Sequence, residues 1–236
     1  MRLRIATYNT HANVGMDRRV DAARIARVVG ELGADIVALQ ELDTRRGDLL
    51  QHLHDTCGYF TLAGPTIHFA NGSFGNGLLT RFPIVSATHI PLSVELREPR
   101  AAIDAVLDCD GIVLRVIVTH LGLRARERAQ QVARLIDVLA ARPQACTVLL
   151  GDLNEWLLPR RALRRLHELF GEPPARATFP ALLPLVALDR IWLQPAQVLQ
   201  RLHVHSTRLA RVASDHVPLI ADIELDRDGE YLFNRR

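Results

Sequence analysis

Four times along this chain a strand-like run stops at a polar cluster: Thr7-Tyr8-Asn9, Leu39-Gln40-Glu41, Gly151-Asp152-Leu153-Asn154 and Ser214-Asp215-His216. Runs as short and apolar as Ile36-Val37-Ala38-Leu39 and Thr147-Val148-Leu149-Leu150 suit strands buried on both faces. A chain built on such strands must cover each sheet face with another layer. Carboxylates, amides and an imidazole make poor core, so their places point to chemistry at the strand ends.

The elements between these points follow from local pattern. Leu3 to Tyr8 reads as a strand, and Asp17 as the cap of a helix running to about Leu32, with Val20, Ala23, Val28 and Leu32 apolar and Gly33 as the stop. Asp48 to Thr56 reads as a second helix. Asn71 to Gly77 reads as a glycine-rich loop before a strand at Leu78 to Thr80. Ala101 to Cys109 and Ile112 to Thr119 form the clearest hairpin, turning at Asp110-Gly111. Arg124 to Ala141 keeps helical spacing, and a short basic helix is expected from Arg160 to Phe170, then a Pro-rich loop to Pro184. Strands at Leu188 to Leu193, Leu202 to His205 and Pro218 to Ile223 complete two packed sheets flanked by helices. With no linker or repeat in its 236 residues, the chain is expected to be one domain, 1–236.

Composition removes several mechanisms. All 29 basic residues are Arg, so chemistry that needs a lysine is excluded, Schiff bases and P-loops among it. A formal charge of +3 is too small to demand a polyanionic partner. Cys57, Cys109 and Cys146 lack metal-ligand spacing and are expected to be reduced. There is no leader pattern at the N-terminus and no apolar run near the ~20 residues that span a bilayer, so the expected location is cytoplasmic. No obligate protein partner is implied.

The strand-end residues suit metal-dependent phosphoester hydrolysis. That reaction needs carboxylates for a hard cation, a base for water, and donors for growing negative charge. Glu41 suits the metal, and Asn9 can orient a water or a phosphate oxygen. Asp152 and Asn154 share a strand face, which lets one handle water and the other phosphate, although Gly-Asp-x-Asn is also common turn chemistry. Asp189 can accept from His216 and hold it protonated, a pairing that also occurs as plain structure. His120 ends a strand and can donate to phosphate. Arg100 is a candidate clamp, with a solvated surface Arg as the competing reading. Ser214 lacks a nucleophile-elbow context, and His203-Val204-His205 is half a zinc site with no further ligand near it in sequence. Arg160, Arg161, Arg164 and Arg165 form a stripe that suits a solvated helix face.

Taken in order, these clusters, with Thr119-His120-Leu121, Leu188-Asp189-Arg190-Ile191 and the stretch Gly75 to Ile84, resemble the endonuclease/exonuclease/phosphatase family. Thr178-Phe179-Pro180 fits as well. The resemblance implies an α+β fold, a four-layer α-β-β-α sandwich of two mixed β-sheets flanked by helices, as in DNase I. It implies Mg²⁺ as cofactor, with Mn²⁺ as a substitute. Glu41 would be the principal metal ligand, Asn9 its neighbour, and Asp215 in contact with the metal or its waters. Asp152 would position the attacking water, Asn154 the phosphate, and His216, oriented by Asp189, would stabilise the transition state. His120 matches the second histidine of DNase-like and sphingomyelinase-like members. His11 stands where the abasic-site endonucleases carry Asp, and Leu42-Asp43-Thr44 lacks their Lys, so the chain is more similar to small stand-alone bacterial members. His11 and Arg100 are expected near the substrate phosphate. The expected substrate is a phosphodiester, with a lipid or small molecule slightly favoured over DNA or RNA. A non-catalytic phosphate-binding module on the same fold is the reading from another class; it predicts a missing site residue, and none of the principal positions is missing.

Overall fold

The computed structural model describes residues 1–45, 47–156 and 163–225. One sheet is built from β1 (Arg2–Asn9), β2 (Ile36–Asp43), β3 (Phe60–Phe69), β4 (Gly72–Thr80), β10 (Leu199–Val204) and β11 (Leu219–Glu224), in the order β10-β11-β1-β2-β4-β3. The other is built from β5 (Ile84–Pro91), β6 (Ala101–Cys109), β7 (Ile112–His120), β8 (Thr147–Asp152) and β9 (Asp189–Gln194), in chain order. Each is mixed, with β1 parallel to β2 and β7 parallel to β8 among antiparallel neighbours. Five α-helices, α1 (Ala22–Leu32), α2 (Leu49–Cys57), α3 (Ala125–Ala141), α4 (Arg164–Phe170) and α5 (Arg208–Ala213), and two short 3-10 turns at His11–Asn13 and Ala196–Val198 complete the described elements.

Strand alternation sorts the apolar side chains into three layers. Leu3, Ile5, Val116, Val118, Val148, Leu150 and Leu219 fill the space between the sheets. Their alternates Ala6, Tyr8, Leu39 and Ile220 meet Ile25, Val28, Val29 and Leu32 of α1 on one outer face. On the other face Ile117, Leu149 and Trp192 meet Val132, Leu135 and Leu166 of α3 and α4. The expected four-layer sandwich is therefore present, and the continuously apolar runs are buried on both sides because both sides have a layer to meet. Cutting one of these buried leucines to Ala would cost about 2–5 kcal/mol.

Three expectations are corrected. The cap of α1 is Asp21, which accepts from the Arg24 N–H at 2.9 Å, and Val20 lies outside the helix in a bridge to Val14. Asp17 is instead held by the Arg24 guanidinium through two bonds of 2.8 and 3.1 Å. The glycine-rich stretch is strand β4, not loop, since Gly75 lets β3 approach where a Cβ would lie 2.3 Å from the Gly64 carbonyl. β3, β5 and α5 have no counterpart among the expected elements. The Asp110-Gly111 hairpin matches its expectation, both residues taking positive φ as a tight primed turn requires. Arg160 and Arg161, with the expected start of the basic helix, lie outside the described residues; the described part begins at Arg164. No helix among the described residues is long and apolar enough to cross a membrane.

Candidate active site

Register brings the polar strand ends together. In the second sheet His120 pairs with Asp152, and Asp152 with Asp189, so three site residues stand abreast on β7, β8 and β9. Gly151 makes this closeness possible: at φ +145° its α-carbon faces the Thr119 carbonyl so tightly that a Cβ could not fit. In the first sheet Asn9 pairs with Gln40, and a register shift between Leu39 and Leu42 puts Glu41 at a bulge with φ +53°. Glu41 and Asn154 (φ +52°) both adopt the left-handed region that side chains rarely occupy, a strain of about 1–3 kcal/mol each that the surrounding bonds must hold.

Asn9 joins the sheets. Its Nδ2 donates to Glu41 Oε1 at 3.1 Å and to Asp152 Oδ2 at 3.0 Å, while its Oδ1 accepts from the His11 N–H at 2.9 Å. Asp152 Oδ1 accepts from the Asn154 N–H at 2.9 Å. Ser214 Oγ donates to the Asn9 carbonyl at 2.7 Å and accepts from the His216 N–H, tying the C-terminal cluster to β1. Beside this network lies a cavity of about 600 Å³ whose polar lining includes Glu41, Asp152, Asp215, Arg100, His120, Asn154 and His216. Apart from Glu98, its remaining wall is apolar: Phe74, Leu123, Trp156, Phe179, Val186 and Leu188. The sequence reading named Phe179 and Leu188 only within its motifs and did not gather this wall, whose other members come from separated segments.

Two imidazoles face Asp152 from opposite sides. His216 Nδ1 bonds Asp189 Oδ2 at 2.8 Å, and Thr178 Oγ1 donates to the same oxygen at 2.5 Å. Burial opposes charge on His216, but Asp189, then Asp152 and Asp215, outweigh it and lift its pKa to about 10. His120 differs: burial first, then the Arg100 cation, push its pKa down to about 3. Arg100 can only donate, at 3.1 Å from His120 Nδ1, and Asn154 Nδ2 lies 3.0 Å from Nε2. A neutral ring accepts at one nitrogen only, so Arg100 and Asn154 compete for it. Arg100 is also paired with Glu98 at 3.0 Å.

The donor set fits a hard divalent cation. Burial raises the Glu41 pKa, the Asn9 bond partly opposes this, and the Asp152 and Asp215 charges raise it further, a repulsion that a cation relieves. Asp152, Asp189 and His216 also offer ligand atoms within 4.8 Å of one another. That trio suits a relay better, since Thr178 and His216 already occupy Asp189 Oδ2 and its Oδ1 is sealed from solvent. His11 stands outside the cavity lining; its Nδ1 faces the Val14 carbonyl at 3.0 Å and Asp215 Oδ1 at 3.8 Å. His203 lies beside Asp222 and His205 bonds Glu31, so that pair forms no common site.

Two face-packed mixed sheets with helices outside and carboxylates and imidazoles at one end define a DNase I-like protein. The chain belongs to the Endonuclease/Exonuclease/phosphatase family, whose sequence pattern matches residues 6–216. Members of this family are hydrolases that act on phosphodiester bonds and commonly use divalent metals. An Escherichia coli (strain K12) relative, "Uncharacterized protein YbhP", is 31% identical over a 245-position alignment that covers 94% of this chain and 96% of its own. An endonuclease/exonuclease/phosphatase from Bacteroides vulgatus shares the fold with a TM-score of 0.78 at 19% identity, over 96% of this chain and 100% of its own. The human Nocturnin catalytic domain with bound sulfate anion gives 0.72 at 21%, over 94% of each.

Proposed function

We propose that this chain hydrolyses a phosphodiester by in-line attack of water, with Mg²⁺ or Mn²⁺ as cofactor and a lipid or small molecule as substrate. The observation that carries the reading is the Asn9 amide, which braces Glu41 and Asp152 in one cavity whose other side carries a protonated imidazole. Glu41 and Asp215 would hold the ion, which when bound supplies charge neutralisation at the phosphate oxygens.

The protein's own groups divide the remaining work. Asp152, fixed by the Asn9 amide and the Asn154 N–H, orients the water and takes its proton. His216 directs its Nε2 proton to a phosphate oxygen as charge grows, and Asp189 keeps that proton in place. Arg100, buried behind His120, adds a fixed positive charge on the opposite wall. Asn154 orders the wall between them.

The test is Mg²⁺- and Mn²⁺-dependent hydrolysis by wild type and His216→Ala on plasmid DNA, short single strands, phospholipids and bis-p-nitrophenyl phosphate. Turnover of the lipid or small diester, lost in the variant by about 10²-fold or more, is expected. Turnover of DNA that falls steeply with salt would make the chain a nuclease instead. A folded, Mn²⁺-loaded sample inert on every diester would leave a phosphate-binding module.

A further inference from the structure

Residues 179–186 read Phe-Pro-Ala-Leu-Leu-Pro-Leu-Val, eight positions without one hydrogen-bonding side chain. Such a stretch belongs in a core, yet Leu182, Leu183 and Leu185 are 54%, 65% and 72% exposed. Single exposed leucines are ordinary, whereas several on one short loop mark a surface that meets something apolar.

The loop is not loose. Phe179 and Val186 form an isolated antiparallel bridge, with Val186 N–H on the Phe179 carbonyl at 2.8 Å and Leu185 N–H on the same oxygen at 2.9 Å. Its base is wired to the catalytic groups. Ala181 N–H donates to the Asp215 carbonyl at 2.7 Å, Thr178 holds Asp189, and the Phe179 ring lies 5.1 Å from the His216 ring. Phe179 and Val186 line the cavity while the leucines between them face out, so the apolar wall continues from the site to the surface. Leu123 and Trp156, 70% and 59% exposed, carry the same character around the opening.

Charge is added on the Leu123 side. Arg124 and Arg126 follow Leu123, and with Arg97 they line a neighbouring depression that also holds Glu95 and Glu127. Glu127 is buried, Glu98 is paired with Arg100, and the exposed positions are weighted toward Arg. Exposed leucines beside arginines match the boundary of an anionic lipid surface, apolar below and negative at headgroup level.

We propose that loop 179–186 seats this protein on an anionic phospholipid surface and that the cavity takes the phosphodiester of an amphiphile whose apolar part lies against Leu182, Leu183 and Leu185. The substrate part of this proposal rests on the phosphodiesterase reading; the seat does not. A polar phosphodiester with no apolar part would leave the leucines in water.

The experiment uses the full chain with vesicles of phosphatidylcholine alone or mixed with phosphatidylglycerol. It compares wild type with Leu182→Ser/Leu183→Ser/Leu185→Ser, and with Leu183→Trp as an added reporter. Wild type is expected to sediment with the mixed vesicles and less with phosphatidylcholine. The triple variant should lose about tenfold or more of that binding while its turnover of bis-p-nitrophenyl phosphate is unchanged. Emission from the indole that Leu183→Trp introduces, read against wild type, should shift to the blue on mixed vesicles. Failure of wild type to bind, or binding that the serines leave intact, overturns the seat, whatever the soluble diester shows. Binding lost in the triple variant, with no diester turned over by either protein, supports the seat and overturns the reaction. A parallel loss of single-strand DNA cleavage in the triple variant, without vesicle binding, would replace the lipid by stacked bases.

Discussion

His120 and His216 stand on opposite walls of one cavity and make an unusually clean comparison. Each has a side chain only 4% exposed, and each places Nε2 3.7 Å from Asp152 Oδ2. Burial and the nearby Asp152 charge are common to both, yet one pKa falls to about 3 and the other rises to about 10. What differs most is the partner at Nδ1, the Arg100 guanidinium at 3.1 Å on one side and the Asp189 carboxylate at 2.8 Å on the other. Asp215 raises His216 further, and the His216 charge lowers His120. The identity of the residue therefore does not set its role here. Its neighbour does, and it gives the cavity one proton donor and one neutral ring around a single carboxylate.

The largest expected effect comes from removing the partner that sets His216. Asp189→Asn should leave burial unopposed at close range, let the ring titrate nearer neutrality, and lower turnover by about 10²-fold. Histidine NMR on the metal-free variant checks the cause. A ring that stays protonated at alkaline pH would show that Asp152 and Asp215 suffice. Next in size is Arg100→Gln, which should raise the His120 pKa part of the way, since burial remains, and cost about tenfold in turnover. An unmoved His120 titration would remove Arg100 from the comparison. Thr178→Val comes third: it deletes one bond to Asp189 Oδ2, worth about 0.5–1.5 kcal/mol, and should slow turnover several-fold. Thr178→Ser should restore the rate, and failure to do so would mean that Thr178 acts through packing.

Much of this arrangement was legible because polar residues at the ends of buried apolar runs are conspicuous in any sequence. Asn9, Glu41 and Asp152 each follow such a run, whereas His216 follows helix α5 and precedes β11, and the structure brings all four into one cavity or its support. The Asp189 and His216 contact was expected from residue type. The His120 shift was not, because it depends first on how completely the fold buries the ring and then on Arg100, 20 positions away, reaching its Nδ1. The N-cap of α1 was misplaced for a similar reason. Asp17 and Asp21 are equivalent as local signals, and the choice is made by the Arg24 side chain, which binds Asp17 and leaves Asp21 to meet the helix N–H. Only the end of β4, Leu78 to Thr80, was legible; its first part was hidden by glycines, among which Gly75 permits close approach to β3. The apolar cavity wall was not gathered from sequence, because Phe74, Leu123 and Trp156 lie far from its continuous part at Phe179 to Leu188.

The smallest effect lies in stability rather than rate, and it tests the comparison without substrate. His120 has its folded pKa lowered from 6.5 to about 3, so the unfolded chain binds more protons between those values. Its contribution is fully present above 6.5 and is lost as pH falls toward 3. His216 has its folded pKa raised from 6.5 to about 10, so its contribution is fully present below 6.5 and is lost as pH rises through 10. Glu41, shifted upward, loses stability as pH rises from the carboxylate range and so opposes His120 in part of the acid window. The difference between variant and wild type isolates each ring from that background. Urea midpoints measured in EDTA across pH should therefore show His120→Gln flattening the acid limb and His216→Gln flattening the alkaline limb. If both variants flatten the same limb, the two walls are not electrostatic opposites, and a shared carboxylate network rather than the Nδ1 partner governs both rings.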